Sequence, residues 1–220
     1  MRMNKKTYTT LNLISDFLIF ALMITGFFIM FFTTKNNVLA SKGFSSLKYF
    51  TVQSNIFMGL MALISAIFIL MKRESVLVIV LKYIATVAVT LTFMTVMVYL
   101  GPAYGYGMMF NGANLIFHLL LPVLSILHFL FLEPKLKEFK FRNTLYALIP
   151  LLIYGTFYLI NVGYHGGEGN LDYDWYLFAA KGMGLGIVVM FLMIGLTYLF
   201  SLALYFGYKK INLISKNVSD

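Results

Sequence analysis

The chain alternates between long apolar runs and short polar connections. Six runs, at 11–32, 49–71, 76–100, 113–132, 145–162 and 182–206, are long enough to cross about 30 Å of hydrocarbon as helices. Strands of a membrane barrel would alternate between apolar and polar positions and would need only about ten residues, which does not fit these runs. The pattern predicts an all-α, polytopic membrane protein that forms one domain over residues 1–220, with six transmembrane helices.

Composition and charge support this class and predict its orientation. Hydrophobic residues make up 60% of the chain and charged residues 11%, whereas an ordinary soluble domain has about 25% charged residues. Of the 17 Lys and Arg residues, thirteen lie on the side of the N-terminus and four on the other side. By the positive-inside rule, both termini are predicted to be cytoplasmic. The net charge of +9 comes from these clusters and not from a free basic helix, so we expect no nucleic-acid partner.

The first run and the residue inventory bear on location and cofactors. An apolar core of about 22 residues is longer than that of a signal peptide, so the first run is predicted to stay as a helix. The chain has no cysteine and only three histidines, two of them on the same run. We therefore expect no metal and no cofactor. The lack of cysteine and of an organelle address favours the plasma membrane of a bacterium as the location.

The second run carries polar and small residues on one helical face: Thr51, Asn55, Gly59, Ala62 and Ala66, with Ser54 on the flank. A stripe of small residues is typical of membrane helices that pack closely together. Thr51 lies about one turn below the predicted outer end of this run. The stripe is therefore expected to be a packing seam whose outer end holds a hydroxyl group.

The fourth run carries Asn114, His118 and Pro122 on one face. Pro122 has no N–H, so it is expected to leave the carbonyl of His118 without its helical partner, and Asn114 is expected to orient the imidazole. At 1.5 Å per residue, His118 lies at about the depth of Thr51. A hydroxyl nucleophile needs a base, and histidine is the commonest one. Two residues near the outer end of the fifth run are predicted to share this layer: Tyr158 and Asn161.

A second polar layer is predicted near the inner surface. Asp16, Lys82 and His128 each lie a turn or two from the inner end of their runs. Asp16 is expected to form a structural ion pair with Lys82 or with His128, while Lys82 extends its ammonium group to the membrane surface. The alternative is that these three residues form a functional layer.

Two segments resemble a known family. They are Lys-Tyr-Phe-Thr-Val-Gln-Ser-Asn at 48–55 and His-Leu-Leu-Leu-Pro at 118–122, supported by Ile-Pro-Leu-Leu-Ile-Tyr-Gly at 149–155. With the six-run layout, they resemble the androgen-induced-gene family, which includes the androgen-dependent regulator of tissue factor pathway inhibitor, and its bacterial relatives. The resemblance implies an intramembrane hydrolase of fatty acid esters of hydroxy fatty acids, with Thr51 as nucleophile and His118 as the histidine. The position of Asn55 departs from the family spacing, which leaves Ser54 as an alternative nucleophile.

The favoured hypothesis is therefore a lipid-ester hydrolase that takes its substrate from the bilayer. Thr51 would attack the ester, His118 would act as base and then as acid, and Asn55 or Asn114 would donate to the oxyanion. One alternative is a small-solute or ion transporter whose path includes Asp16, Lys82 and His128. Another is a non-catalytic assembly or envelope-stability protein with glycine contact faces, for example at Gly59 and Gly184. The acyl length of the substrate and the oligomeric state are left open.

Overall fold

The computed structural model describes residues 4–33, 42–134 and 139–217, and these residues form helices and no strands. Six of the helices are long and apolar enough to span a membrane. We name them α1 (Lys5–Phe32), α2 (Phe50–Leu70), α3 (Val76–Tyr104), α4 (Ala113–Phe131), α5 (Asn143–His165) and α6 (Met183–Asn217). A 3₁₀ turn, Gly43–Lys48, precedes α2, and a four-residue helix, Tyr106–Met109, lies between α3 and α4. The predicted all-α class and the six spanning runs are confirmed.

Local chemistry sets where the helices begin and end. α1 begins before the predicted apolar run because the side chain of Asn4 accepts the N–H of Lys6, at 2.7 Å. Ser75 accepts the N–H of Val78 at 3.5 Å and caps α3 in the same way. Pro150 lies in the first turn of the continuous part of α5, where its missing N–H costs nothing. Gly166 ends α5 in the left-handed conformation, with φ 54°, which glycine adopts without strain.

The six crossings give the bundle two ends. We call the end at which α1 begins and α6 ends the terminal face. Tyr8 and Asn12 of α1 donate to the carbonyl of Leu132 there, and Tyr208 of α6 donates to the carbonyl of Pro134. We call the opposite end the distal face. It carries Gly43–Lys48 and the connections from α3 to α4 and from α5 to α6. The prediction that the terminal face is cytoplasmic remains a prediction. The prediction is based on the positions of the basic residues. Four of these residues lie outside the described part of the chain, namely Arg2, Lys35, Lys135 and Lys137.

α3 forms the centre of the bundle. It packs against α2, α4 and α6, while α1 packs against α2 and α4, and α5 packs against α6. Within its most apolar stretch, 72% of α3 is buried, which explains why its sequence is apolar on all sides. The other spans expose large apolar side chains on their outer faces, for example Phe28, Phe157 and Phe191. Outward apolar faces of this kind are expected where the surrounding solvent is lipid.

The predicted packing seam on α2 is confirmed. Ala62 and Ala66 are fully buried, and Gly59 lies directly beneath Met23 of α1. A Cβ atom at Gly59 would lie 2.4 Å from the Cβ of Met23, which is closer than two carbon atoms can approach. The absence of a side chain at this position is therefore what lets α1 and α2 pack so closely.

A cluster of buried charges joins the helices in the terminal half. Asp16 and Lys82 form the predicted ion pair, with Oδ1 and Nζ 2.6 Å apart, and His128 Nε2 lies 2.7 Å from the same Nζ. Glu133, just beyond α4, completes the cluster at 2.9 Å from Nζ, and Ser65 accepts from Nζ at 3.2 Å. The expectation that Lys82 extends to the membrane surface is wrong. Its side chain is fully buried, because two carboxylates at close range stabilise the ammonium group inside the bundle.

Candidate active site

Thr51 and His118 line one small cavity near the distal face. Its volume is about 40 Å³, enough for the reacting atoms of a substrate and not for a chain. Thr51 is half-buried at the beginning of α2, and His118 is buried in α4. Asn114 lines the cavity as well. The remaining wall is mainly apolar and consists of Met30, Tyr49, Val52, Leu100, Met108, Met109 and Tyr176.

The imidazole of His118 is oriented by a backbone carbonyl. His118 Nδ1 lies 2.9 Å from the carbonyl oxygen of Met109, and a carbonyl only accepts, so Nδ1 carries the hydrogen and donates it. In the neutral ring this leaves Nε2 with the free lone pair, which is the arrangement that a general base needs. The expectation that Asn114 orients the ring is wrong, because its amide donates to the carbonyl of Met108 instead, at 3.5 Å.

A π-turn at Ile116–Leu120 places the nitrogen of Pro122 where the carbonyl of Phe117 would need a donor. In this turn the N–H of Leu121 donates to the carbonyl of Ile116, five residues back. The next carbonyl, that of Phe117, would then need a hydrogen from the nitrogen of Pro122, which has none. Pro122 therefore leaves the carbonyl of Phe117 without a backbone donor in this turn, and a side chain satisfies that carbonyl. Asn55 donates to it at 3.1 Å.

Asn55 connects the two candidate residues and has no hydrogen left for an oxyanion. Its amide nitrogen donates to the carbonyl of Thr51 at 2.7 Å as well as to that of Phe117. An amide group has two N–H donors, and both are used. Because both partners are carbonyls, which cannot donate, the orientation of this amide is fixed. Asn55 is buried within the bundle, and it ties the first turn of α2 to the turn that carries His118.

Tyr176, from the connection between α5 and α6, supplies a phenol that sequence reasoning did not identify. Its hydroxyl accepts the N–H of Phe50 at 2.9 Å, and Tyr176 lines the same cavity as Thr51. It thereby caps the first turn of α2, whose N–H groups have no helical partners. Burial raises the pKa of Tyr176 to about 12, so the phenol keeps its proton at neutral pH. Tyr176 and Asn114 are two donors at the cavity wall that an oxyanion could meet.

Three other predicted residues lie outside this cavity. Ser54, Tyr158 and Asn161 line a separate groove between α2 and α5. Ser54 donates to the carbonyl of Thr51 at 3.1 Å and has Thr92 Oγ1 at 3.3 Å. The hydroxyl of Tyr158 is held by the carboxylate of Asp174, and Asn161 donates to a backbone carbonyl in the same connection. The structure thus brings Thr51, His118 and Asn114 together in the cavity. It places Ser54, Tyr158 and Asn161 in the wall of the groove instead.

Three contributors were absent from the sequence prediction. Met109 acts through its backbone carbonyl, which no side-chain pattern reports. Tyr176 lies in the stretch Asp-Tyr-Asp-Trp-Tyr at 172–176, whose density of aromatic and acidic residues was the available signal. Glu133 lies just beyond the end of the fourth run, outside the apolar segments in which the polar residues were sought.

Comparisons of the chain with protein-family models, with curated proteins and with solved structures return no match.

Proposed function

We propose that this protein is an intramembrane hydrolase of lipid esters that uses Thr51 as nucleophile and His118 as base. One observation carries the proposal. His118 donates from Nδ1 to a carbonyl and keeps Nε2 as an acceptor, in the cavity that Thr51 also lines. The resemblance of segments 48–55 and 118–122 to the androgen-induced-gene family points to the same chemistry. The proposal includes a location in the plasma membrane, with both chain ends in the cytoplasm.

The first half of the reaction forms an acyl-enzyme. The Thr51 hydroxyl attacks the ester carbonyl while His118 Nε2 takes its proton. Negative charge develops on the carbonyl oxygen and is met by the Tyr176 hydroxyl or by the Asn114 amide. His118 then returns the proton to the alkoxide as the ester bond breaks, so that the alcohol leaves neutral and the acyl group stays on Thr51.

The second half repeats the steps with water. His118 removes a proton from a water molecule that attacks the acyl-threonine ester, and it then gives the proton back to the threonine oxygen. This releases the fatty acid. The carbonyl of Met109 stabilises the imidazolium that forms twice in the cycle, because it accepts from Nδ1 throughout. Among the described residues no carboxylate is recorded as a partner of His118, so the site is a dyad with backbone support.

The proposal is tested on protein purified and reconstituted into lipid discs. A fluorophosphonate probe and a branched fatty-acid ester are applied to wild type, Thr51→Ala, His118→Gln and Ser54→Ala. We expect Thr51→Ala to lose labelling altogether and His118→Gln to lower the rate at least ~100-fold, which is what a general base contributes. Ser54→Ala is the matched control, because Ser54 lies one turn away on α2 but faces the groove.

The outcomes separate the competing functions. Labelling that persists in Thr51→Ala and disappears in Ser54→Ala would keep the hydrolase but assign the wrong nucleophile. No labelling and no turnover, in protein that elutes as a single folded species, would refute the hydrolase. That result would favour the non-catalytic assembly role, and ion flux into vesicles that contain the same purified protein would favour the transporter.

A further inference from the structure

A second and much larger concavity lies on the outside of the bundle between α2 and α5. Its volume is about 650 Å³, within the usual range of small-molecule sites. Phe57 of α2 and Pro150 of α5 line its walls, and the small, buried Ala88 of α3 forms part of its floor. Ile153 and Phe157 at its rim are 55% and 70% exposed, so the groove opens towards the surrounding bilayer.

The length of the groove matches one leaflet of a membrane. Along α5 it extends from Asn161 near the distal face to Ile149, which is about 18 Å at 1.5 Å per residue. One leaflet accounts for about half of a hydrocarbon core of about 30 Å. An acyl chain that enters from the distal leaflet would therefore be accommodated along its length. The apolar side chains below Asn161 provide the surface for it.

The polar side chains of the groove are concentrated at its distal end. Lys48, Gln53, Asn161 and Trp175 lie there, at the end of the spans where lipid head groups are expected. The Lys48 ammonium lies 5.5 Å from the centre of the Trp175 ring and 5.6 Å from that of Tyr49. Within the part of the chain that the structure describes, no ion pair is recorded for Lys48. A half-buried cation beside an interfacial tryptophan is complementary to an anionic head group.

The groove and the candidate active site have no lining residue in common. Phe50 lines the groove, Tyr176 lines the cavity, and the hydrogen bond from the Phe50 N–H to the Tyr176 hydroxyl forms part of the partition between them. Tyr154 and Trp175, joined by a 2.9 Å hydrogen bond, stand on the groove side. Occupancy of the groove therefore does not depend on whether Thr51 and His118 hydrolyse an ester.

We propose that the groove between α2 and α5 binds one acyl chain of an anionic phospholipid from the distal leaflet, with the phosphate against Lys48. The apolar walls hold the acyl chain, and the Lys48 ammonium selects the anionic head group. The protein's one tryptophan, Trp175, lies at the mouth of the groove. It is therefore an intrinsic reporter of what occupies the site.

The test is quenching of Trp175 fluorescence by lipids brominated on their acyl chains close to the head group. The full-length protein is reconstituted into phosphatidylcholine vesicles that contain equal mole fractions of brominated phosphatidylglycerol or of brominated phosphatidylcholine. A Lys near the membrane surface favours anionic lipid by about five-fold. We expect the anionic lipid to half-quench Trp175 at about one fifth of the mole fraction that the zwitterionic lipid requires.

Two variants and one control make the result specific. Lys48→Gln is expected to abolish the five-fold preference for the anionic lipid. Lys181→Gln is expected to retain it, because Lys181 is a basic residue of the same face that lies outside the groove. Ala88→Leu fills the floor and is expected to weaken quenching by both lipids at least two-fold. Equal quenching of the wild type by both lipids, or a preference that Lys48→Gln retains, would overturn the proposal. Should Lys48→Gln fail to reconstitute, quenching of Ala88→Leu that equals the wild type would overturn it independently.

Discussion

The buried charge cluster predicts that replacing Lys82 with methionine strongly destabilises the bundle. In the native protein Nζ lies 2.6 Å from Asp16, 2.7 Å from His128 and 2.9 Å from Glu133. Each of these side chains is essentially inaccessible to solvent. Methionine has a similar length and fills most of the space, so the main change is the loss of charge. Two carboxylates are then left without the ammonium group that both of them contact.

The size of the effect follows from the burial. Removing one partner of a buried ion pair costs about 3–5 kcal/mol, because the remaining charge stays desolvated and unpaired. The hydrogen bond from Lys82 to Ser65 involves a charged donor and is worth about 1.5–3 kcal/mol, and its loss is included in that cost. We therefore expect Lys82→Met to lower the free energy of unfolding by about 3–5 kcal/mol. Combining it with Asp16→Asn removes one of the two unpaired carboxylates, so the double variant should recover part of the loss.

Unfolding in mixed micelles of a mild detergent and dodecyl sulfate, followed by far-UV circular dichroism, measures these differences. Ser65→Ala is the control, since it removes one hydrogen bond to Nζ and no charge. A Lys82→Met variant no less stable than Ser65→Ala would refute the reasoning and would mean that water or relaxation solvates the cluster. A double variant less stable than either single variant would do the same, because the carboxylates would not be repelling each other.

Three further predictions concern other parts of the molecule. Burial by itself raises the pKa of Glu133, but the charges of Lys82 and His128 outweigh it and lower the pKa from 4.5 to about 2. The contribution of Glu133 to stability is therefore complete above pH 4.5 and is lost as the pH falls to about 2. As the pH is lowered through this range, the Tm of the wild type should fall more steeply than the Tm of Glu133→Gln. Tyr176→Phe should lower the hydrolysis rate ~100-fold or more if the phenol meets the oxyanion, with Tyr173→Phe, outside the cavity, as control. Gly59→Leu should lower Tm because its Cβ would overlap Met23, whereas Gly184→Leu, with no atom within 4 Å of the new Cβ, should not.

Each of these predictions can be contradicted. Parallel pH curves for wild type and Glu133→Gln would show that Glu133 is not held ionised by its neighbours. An unchanged rate in Tyr176→Phe would show that the Tyr176 phenol does not stabilise the oxyanion. Equal Tm values for Gly59→Leu and Gly184→Leu would mean that α1 and α2 can move apart without loss of stability. That result would contradict the role given to the packing seam.

The fold could be predicted from sequence because lipid imposes simple constraints. A run of apolar residues long enough to cross the membrane must satisfy its own backbone, so each run becomes a helix. The predicted boundaries differ from the observed ones mostly where polar residues extend a helix beyond the apolar run. Asn4 does so at the start of α1, and the helix of α6 continues to Asn217. Apolarity alone does not report such extensions.

The candidate site was predicted only in part, and the reason is geometric. The shared depth of Thr51 and His118 follows from helical rise, so their position in one cavity could be expected. The orientation of His118 could not, because it depends on the carbonyl of Met109 in a connection between spans. The separation of Ser54 from the cavity depends on the rotation of α2. Tyr158 and Asn161 lie at the right depth but face the groove, since depth does not determine which side of a helix a residue occupies.

The π-turn of α4 and Asn55 solve one problem together. A proline inside a spanning helix leaves a carbonyl without a donor, and no water is present in hydrocarbon to replace it. In the π-turn the carbonyl of Phe117 has no backbone donor, and the amide of Asn55 reaches it from α2. The second hydrogen of the same amide binds the carbonyl of Thr51. The repair of the proline defect therefore also sets the spacing between the helices that carry Thr51 and His118. Asn55 is thus a positioning residue of the proposed site, and its two carbonyl partners explain why an asparagine, with two donors on one nitrogen, serves at this position.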